Sequence, residues 1–487
     1  MKVVYLSSEV VPFTKTGGLA DIAGAIPKSL QNLGVEIAVI TPLYGVIKEA
    51  GYSITKTDIQ FEVKIGDRLK PGCVYKGFLP DTKIPVYFVD NEQYYSRMGL
   101  YNYPETTNDF EDNCERFIFF AQGALEVIEK LKLCPDIIHC NDWQTGLIPV
   151  YLKTRYAGKA CYSRTKTIMT IHNITYQGVF WHWDMNLAGL GWSLFNWKQL
   201  EFYGKMNFLK GGIVFSDVIT TVSETYAKEI QTAEYGAGLD GVLRDKADNL
   251  YGIINGVDYE TWNPETDEYI VANYSAKKLS GKQLCKKALQ RKYGLPEKNV
   301  PVIGMITRLI DQKGLDLIAD KFPDLMKTDS QFILQGTGEQ RYHELFRAYA
   351  KKFPSKVAVK LTFDEQAAHE IEAGADMFLM PSRFEPCGLN QLYSLKYGAV
   401  PIVRSTGGLA DTITDARLQP ILNGNANGFS FKEYNADVML DTVMNAMDLF
   451  KNKSKWTHLM RNGMTQDWSW EKSAKKYYEL YKMLVNG

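Results

Sequence analysis

Several large classes of protein are excluded by what this sequence lacks. It has no charge excess: Lys plus Arg and Asp plus Glu each number 56 in 487 residues. Nucleic-acid binders carry a basic surplus, so no nucleic-acid partner is expected and any positive site must be local. Long apolar runs are missing too. VVYL near the start and VPIV at 400–403 are far too short to cross a bilayer, so no membrane partner is expected. Residues 2–6 (KVVYL) read as a buried strand rather than an export signal, which points to the cytoplasm, or to the plastid stroma for a mature plant or algal protein. The seven cysteines (73, 114, 134, 140, 161, 285, 387) are odd in number and scattered, with no CxxC pair, and read as reduced structural thiols. No Cys/His cluster suits zinc and no GxxxxGK[ST] occurs, which removes a zinc site and a P-loop, and the TGGLAD turns do not read GxGxxG, so they give no dinucleotide fingerprint.

What is present is a repeating unit of short apolar strand, turn and helical stretch. Strand candidates are VVYL (3–6), IAVIT (37–41), PVYFVD (85–90), PDIIHC (135–140), KTIMTIH (166–172) and DVITTV (217–222). A second series runs NLYGII (249–254), PVIGMIT (301–307), QFILQG (331–336), KVAVKL (356–361), DMFLMP (376–381) and VPIVR (400–404). Several are apolar on both faces, as parallel strands covered by helices must be. The alternation predicts an α/β fold with doubly wound domains, and the length suits two of them. Thr16-Gly17-Gly18-Leu19-Ala20-Asp21 recurs letter for letter as Thr406-Gly407-Gly408-Leu409-Ala410-Asp411, each copy after an apolar strand and before a helix-like segment. The expected domains are 1–250 and 251–455. An aromatic helical tail, 456–487, is expected to pack back on the first domain.

Four groups carry chemistry. The glycine turns allow close backbone approach and open helix N-termini, which attract phosphate; Lys15 adds a charge to the first. Arg308 and Lys313 follow the strand PVIGMIT at the end where open α/β sheets bind ligands, and two cations there suit a diphosphate. Glu385, between Pro381-Ser382-Arg383-Phe384 and Pro386-Cys387-Gly388-Leu389, can stabilise positive charge near an anomeric carbon. His139, Asn141, Asp142 and Trp143, then His172 and Asn173, sit past strands of the first domain and favour a sugar site. No Asp-x-Asp occurs, so no metal is expected; Lys15, Arg308 and Lys313 would do its electrostatic work.

These motifs resemble a family. KTGGLAD (15–21), HNITYQG (172–178), NGVDYETWNP (255–264), RLIDQKG (308–314), PSRFEPCGL (381–389) and STGGLAD (405–411) are similar to those of the bacterial-type glycogen and starch synthases, retaining GT-B enzymes of glycosyltransferase family 5. The order matches and the motifs span essentially the whole chain. The resemblance implies two Rossmann-like domains facing a deep cleft, ADP-glucose as donor, an α-1,4-glucan as acceptor, retained configuration and no cofactor. It implies catalytic roles for Glu385, His172, Arg308, Lys313 and Asp142. It implies donor contacts from Lys15, Gly17, Gly18, Asn255, Cys387, Gly388, Leu389, Thr406, Gly407 and Gly408, with Phe363 placed by spacing against adenine. Tyr95 and Tyr101, in a polar-aromatic loop with Tyr94 and Tyr103, are acceptor-stacking candidates. One departure is Gln144, where the family commonly has His, so no acid–base role falls there. The alternatives are a related retaining transferase that uses UDP-glucose or makes maltose phosphate, and an inactive glucan-binding scaffold.

Overall fold

Apolar runs rich in Val, Ile and aromatic residues, bounded by turn residues, form the strands of two α/β units. The computed structural model describes residues 1–104, 106, 108–422 and 424–486. One unit comprises Met1–Val222, Ala227–Gly256 and the chain from Trp470 onward; the other comprises Ser223–Tyr226 and Val257–Ser469.

The first unit contains β1 (Lys2–Leu6), β2 (Glu36–Pro42), β3 (Thr55–Ile65), β4 (Arg68–Phe78), β5 (Pro85–Asp90), β6 (Ile137–Asn141), β7 (Lys166–Ile171), β8 (Val179–Trp181), β9 (Glu201–Phe202), β10 (Lys205–Asn207), β11 (Val218–Thr221) and β12 (Leu250–Gly252). Nine of these form one sheet in the order β12-β11-β7-β6-β1-β2-β5-β4-β3. The strands from β12 to β5 run parallel, and the β3–β4 hairpin closes one edge antiparallel. That hairpin was not foreseen, because its charged, alternating sequence signals an exposed edge rather than a covered strand (β3 reads TKTDIQFEVKI). β8, β10 and β9 form a separate small antiparallel sheet.

The second unit contains β13 (Val302–Ile306), β14 (Gln331–Gln335), β15 (Val357–Lys360), β16 (Met377–Met380), β17 (Val400–Arg404) and β18 (Phe429–Phe431), in the order β15-β14-β13-β16-β17-β18. All neighbours are parallel. β14, β16 and β17 are buried along their whole length, as helices on both faces require.

Three expectations change. The strand read as NLYGII belongs to the first unit, because β12 pairs with β11 as the edge of its sheet. The first unit therefore runs to Gly256 rather than 250. The tail does not leave the second unit at 456: Trp456, Leu459 and Met460 are in that unit's core. Only the helix Trp470–Asn486 clusters with the first unit, where the Tyr481 hydroxyl lies 2.6 Å from His139 Nδ1. Finally, Cys134 and Cys161 are joined in a disulfide with Cα atoms 4.7 Å apart, while the other five cysteines are free. A separation of 27 residues hides this contact from sequence; the fold creates it.

Candidate active site

In each unit the strand order reverses at one point, and open α/β sheets bind ligands in the crevice beyond the strand ends there. In the second unit the reversal lies between β13 and β16. A recess of about 170 Å³ opens at that point. Its lining comes from the turn after β13 (Thr307, Arg308, Lys313) and the turn after β16 (Ser382, Glu385, Gly388, Leu389, Asn390). Lys313 Nζ contacts Glu385 Oε2 at 2.6 Å, and the Ser382 hydroxyl donates to the same oxygen at 3.0 Å. Glu385 is only 7% exposed. The exposed Arg308 guanidinium makes no hydrogen bond or ion pair with any described side chain. The recess thus presents one uncommitted cation, one lysine–carboxylate pair and a wall of turn backbone. Ser382 and Asn390 escaped the sequence reading; Asn390 Nδ2 ties the helix Asn390–Tyr397 to the Ile306 carbonyl at 2.6 Å.

The other donor candidates of this unit gather beside Glu385. Gly408 N–H donates to the carbonyls of Glu385 and Pro386, each at 3.1 Å, so the turn after β17 rests on the turn after β16. Thr406, Gly407, Gly408, Cys387, Gly388 and Leu389 are brought together this way. Phe363 is 78% exposed on the turn before the helix Glu365–Gly374 and does not line the recess.

In the first unit the reversal lies between β1 and β6. The chain leaves β1 into Ser7–Gly18, and leaves β6 into Asp142. The helix Gly18–Asn32 begins at the glycine turn. Its anchor is Glu9, another residue the sequence reading missed: 3% exposed, it accepts hydrogen bonds from Thr16 N–H, Thr16 Oγ1 and the Tyr101 hydroxyl. Lys15 pairs with Asp21 at 2.7 Å. Asn255 is buried near the end of the unit, after β12.

Asp142 sits at φ 54°, which turns its carboxylate back to accept the His172 N–H at 2.8 Å. Burial pushes the Asp142 carboxyl up to about 7, against the opposing pull of the His172 and Asn173 N–H groups. His172 Nε2 lies 2.9 Å from Asn141 Oδ1, an acceptor, so Nε2 carries the proton. Its Nδ1 is buried without a partner among the described residues. Burial pushes His172 down to about 3, so the ring is neutral at physiological pH. His139 is not a sugar ligand. It is fully buried and satisfied by Tyr481 and Thr170 at 2.6 Å each.

A raised Asp142 pKa has a stability consequence. The folded state holds the proton more tightly than the unfolded chain, so this stability is complete below the ordinary carboxyl range and is lost as pH rises through about 7. Asp142→Asn keeps an acceptor for the His172 N–H and removes the titration. Its Tm relative to wild type is expected to be higher at pH 8 than at pH 5. Equal differences at the two pH values would rule out this coupling.

The acceptor-stacking role of Tyr95 is corrected. The helix Glu92–Tyr95, capped by Asn91, turns its tyrosines inward, and Tyr95 is 0% exposed with its hydroxyl donating to Arg116 O at 2.9 Å. A ring with no open face cannot stack on sugar. Tyr101 directs its hydroxyl to Glu9 Oε1 at 2.8 Å and packs at a tilt of 41° against Phe117, and so supports the glycine turn.

Comparison with known proteins agrees with this arrangement. Residues 2–245 match the family model described as the starch synthase catalytic domain, and residues 286–461 match glycosyl transferases group 1. The glycogen synthase of Thermosipho africanus is 48% identical over 100% of this chain and 99% of its own. That of Thermotoga maritima is 46% identical, covering 99% and 98%. Among solved structures, the catalytic domain of starch synthase IV from Arabidopsis thaliana, bound to ADP and acarbose, superposes with TM-score 0.88 at 32% identity, covering 100% of this chain and 99% of that one. Sucrose-phosphate synthase from Thermosynechococcus elongatus, at 13% identity and TM-score 0.60, shares the fold alone. With both halves matched by family models and full-length relatives at this identity, the chain belongs to the glycogen and starch synthase family of glycosyltransferases.

Proposed function

We propose that the enzyme transfers glucose from ADP-glucose to the non-reducing end of an α-1,4-glucan, with retention of configuration and without a metal ion. The observation that carries this reading is the recess at the β13/β16 reversal, where Arg308, Lys313 and Glu385 meet. Arg308 takes the diphosphate with a forked guanidinium, and Lys313 adds a point charge held in place by Glu385. The acceptor 4-hydroxyl attacks the anomeric carbon from the face the diphosphate leaves. The carbon–oxygen bond to the diphosphate breaks as the new glycosidic bond forms, and the hydroxyl proton passes to the departing phosphate oxygen. Glu385 stabilises the positive charge that builds on the sugar. No carboxylate is assigned to the opposite face, so no covalent glucosyl-enzyme forms. The polar groups that the first unit offers to a sugar are His172, with a neutral ring, and Asp142.

Donor competition tests the reading. kcat/KM for ADP-glucose is expected to exceed that for UDP-glucose, and activity is expected to survive excess EDTA because local cations hold the diphosphate. A preference for UDP-glucose would overturn the donor assignment. Activity lost to EDTA and restored by magnesium or manganese would overturn metal independence.

A further inference from the structure

Four of the nine tryptophans fall within residues 181–197, and all four lie in solvent: Trp181 is 61% exposed, Trp183 50%, Trp192 44% and Trp197 69%. Leaving an indole in water forgoes the largest burial gain any side chain offers. For Trp181 the pleat imposes this. Phe180, its neighbour on β8, turns inward against Trp143 and Phe208, so Trp181 must face outward. Around it the rings join into a shelf. Trp181 meets His182 at 5.5 Å and Trp183 at 6.3 Å, Trp183 meets Trp192 at 5.3 Å, and Trp192 meets Phe195 at 5.6 Å. The exposed Lys205 stands opposite Trp181 in the β8–β10 ladder.

The composition of this shelf selects its ligand. Of the large apolar side chains exposed between 176 and 203, only Val179 is aliphatic; the rest are Trp and Tyr. Protein interfaces enrich Met and Arg beside their aromatics, whereas residues 176–203 hold no arginine and their one methionine, Met185, is buried. A sugar ring instead presents a flat C–H face, which complements the negative face of an indole, and a rim of hydroxyls for polar neighbours such as Lys205. A polymeric acceptor is longer than any one recess, and a second attachment point raises the effective concentration of its ends.

We propose that Trp181, His182, Trp183, Trp192 and Phe195 form a glucan-binding surface that tethers a chain of the α-1,4-glucan polymer by stacking. This rests on the glucan-acceptor reading above. The test is Trp181→Ala combined with Trp183→Ala in the full chain, with Trp181→Tyr plus Trp183→Tyr as the conservative control. Retardation of the protein by glycogen in native gels is expected to be lost in the alanine variant and kept in the tyrosine variant. KM for glycogen should rise about tenfold while kcat and the kinetics with maltotriose stay unchanged. Far-UV circular dichroism and Tm establish that the variant is folded. The proposal is overturned if wild type is not retarded by glycogen or if retardation survives the alanine changes. It also falls if maltotriose KM rises in step with glycogen KM, which would make the shelf part of the transfer site. A change of oligomeric mass by light scattering without loss of retardation would assign it to self-association. Because retardation needs no catalysis, it distinguishes failure of this proposal from failure of the transferase reading.

Discussion

Alanine at Arg308 or at Lys313 is expected to lower kcat by about 10²–10³-fold while KM for ADP-glucose changes little. Both cations meet negative charge that grows as the diphosphate departs, so their contribution is larger in the transition state than in the bound donor. The structure separates the two in stability. Arg308 is exposed and committed to no described side chain, so Arg308→Ala should leave Tm unchanged. Lys313 neutralises Glu385, which is 7% exposed and otherwise held by Ser382. Lys313→Ala leaves that carboxylate buried without its cation, at a cost of about 1–3 kcal/mol. Adding Glu385→Gln to Lys313→Ala should restore much of the lost stability and none of the activity. Thermal melts and steady-state kinetics on the three variants decide this. If either cation variant keeps kcat and changes only KM, that residue merely holds the nucleotide and the electrostatic account of the step is wrong.

The duplicated TGGLAD sequence should respond to the same substitution in opposite ways. At Gly407, with φ 45°, an added Cβ would lie 2.0 Å from Glu385 O, and at Gly408 2.0 Å from Cys387 O, both immovable backbone atoms. Alanine at either is expected to cost at least about 2 kcal/mol through overpacking of a buried turn. At Gly17 and Gly18 a Cβ meets no atom within 4 Å, and both residues are exposed. Folding does not demand glycine there, and Gly18→Ala at the helix start should be neutral or slightly stabilising. If the glycines serve ligand approach, Gly17→Ala and Gly18→Ala fold normally and lose more than tenfold in kcat/KM, about 1.4 kcal/mol or more in the barrier. Wild-type kinetics in both would remove the first turn from the site. The aspartates of the two copies differ as well: Asp21 pairs with Lys15, whereas Asp411 accepts from the Thr225 N–H at 2.9 Å.

The class of fold was legible in the sequence because both-faces-apolar strands have no other stable setting than a covered parallel sheet. Each of the twelve strand segments read from the sequence overlaps a strand of the structure, and Pro85–Asp90 coincides at both ends. The positions of Arg308, Lys313 and Glu385 after strands β13 and β16 were legible too, since a strand followed by a polar turn and a helix declares its own ligand-facing end. The edge hairpin β3–β4 and the small β8–β10 sheet were not, because an exposed strand lacks the apolar signature. Tyr95 and His139 show a sharper limit. Tyrosine in a polar loop, or histidine after a strand, reads as a ligand group until the fold supplies Arg116, Tyr481 and Thr170 as partners from distant segments. Likewise the sequence by itself determined that two glycine turns exist, whereas only tertiary packing decided that one is a steric necessity and the other is open. The physical reason is common to these cases. Periodicity and turn chemistry act over a few neighbouring residues, while burial, pairing and clearance are set by chain segments that meet only when the sheet closes.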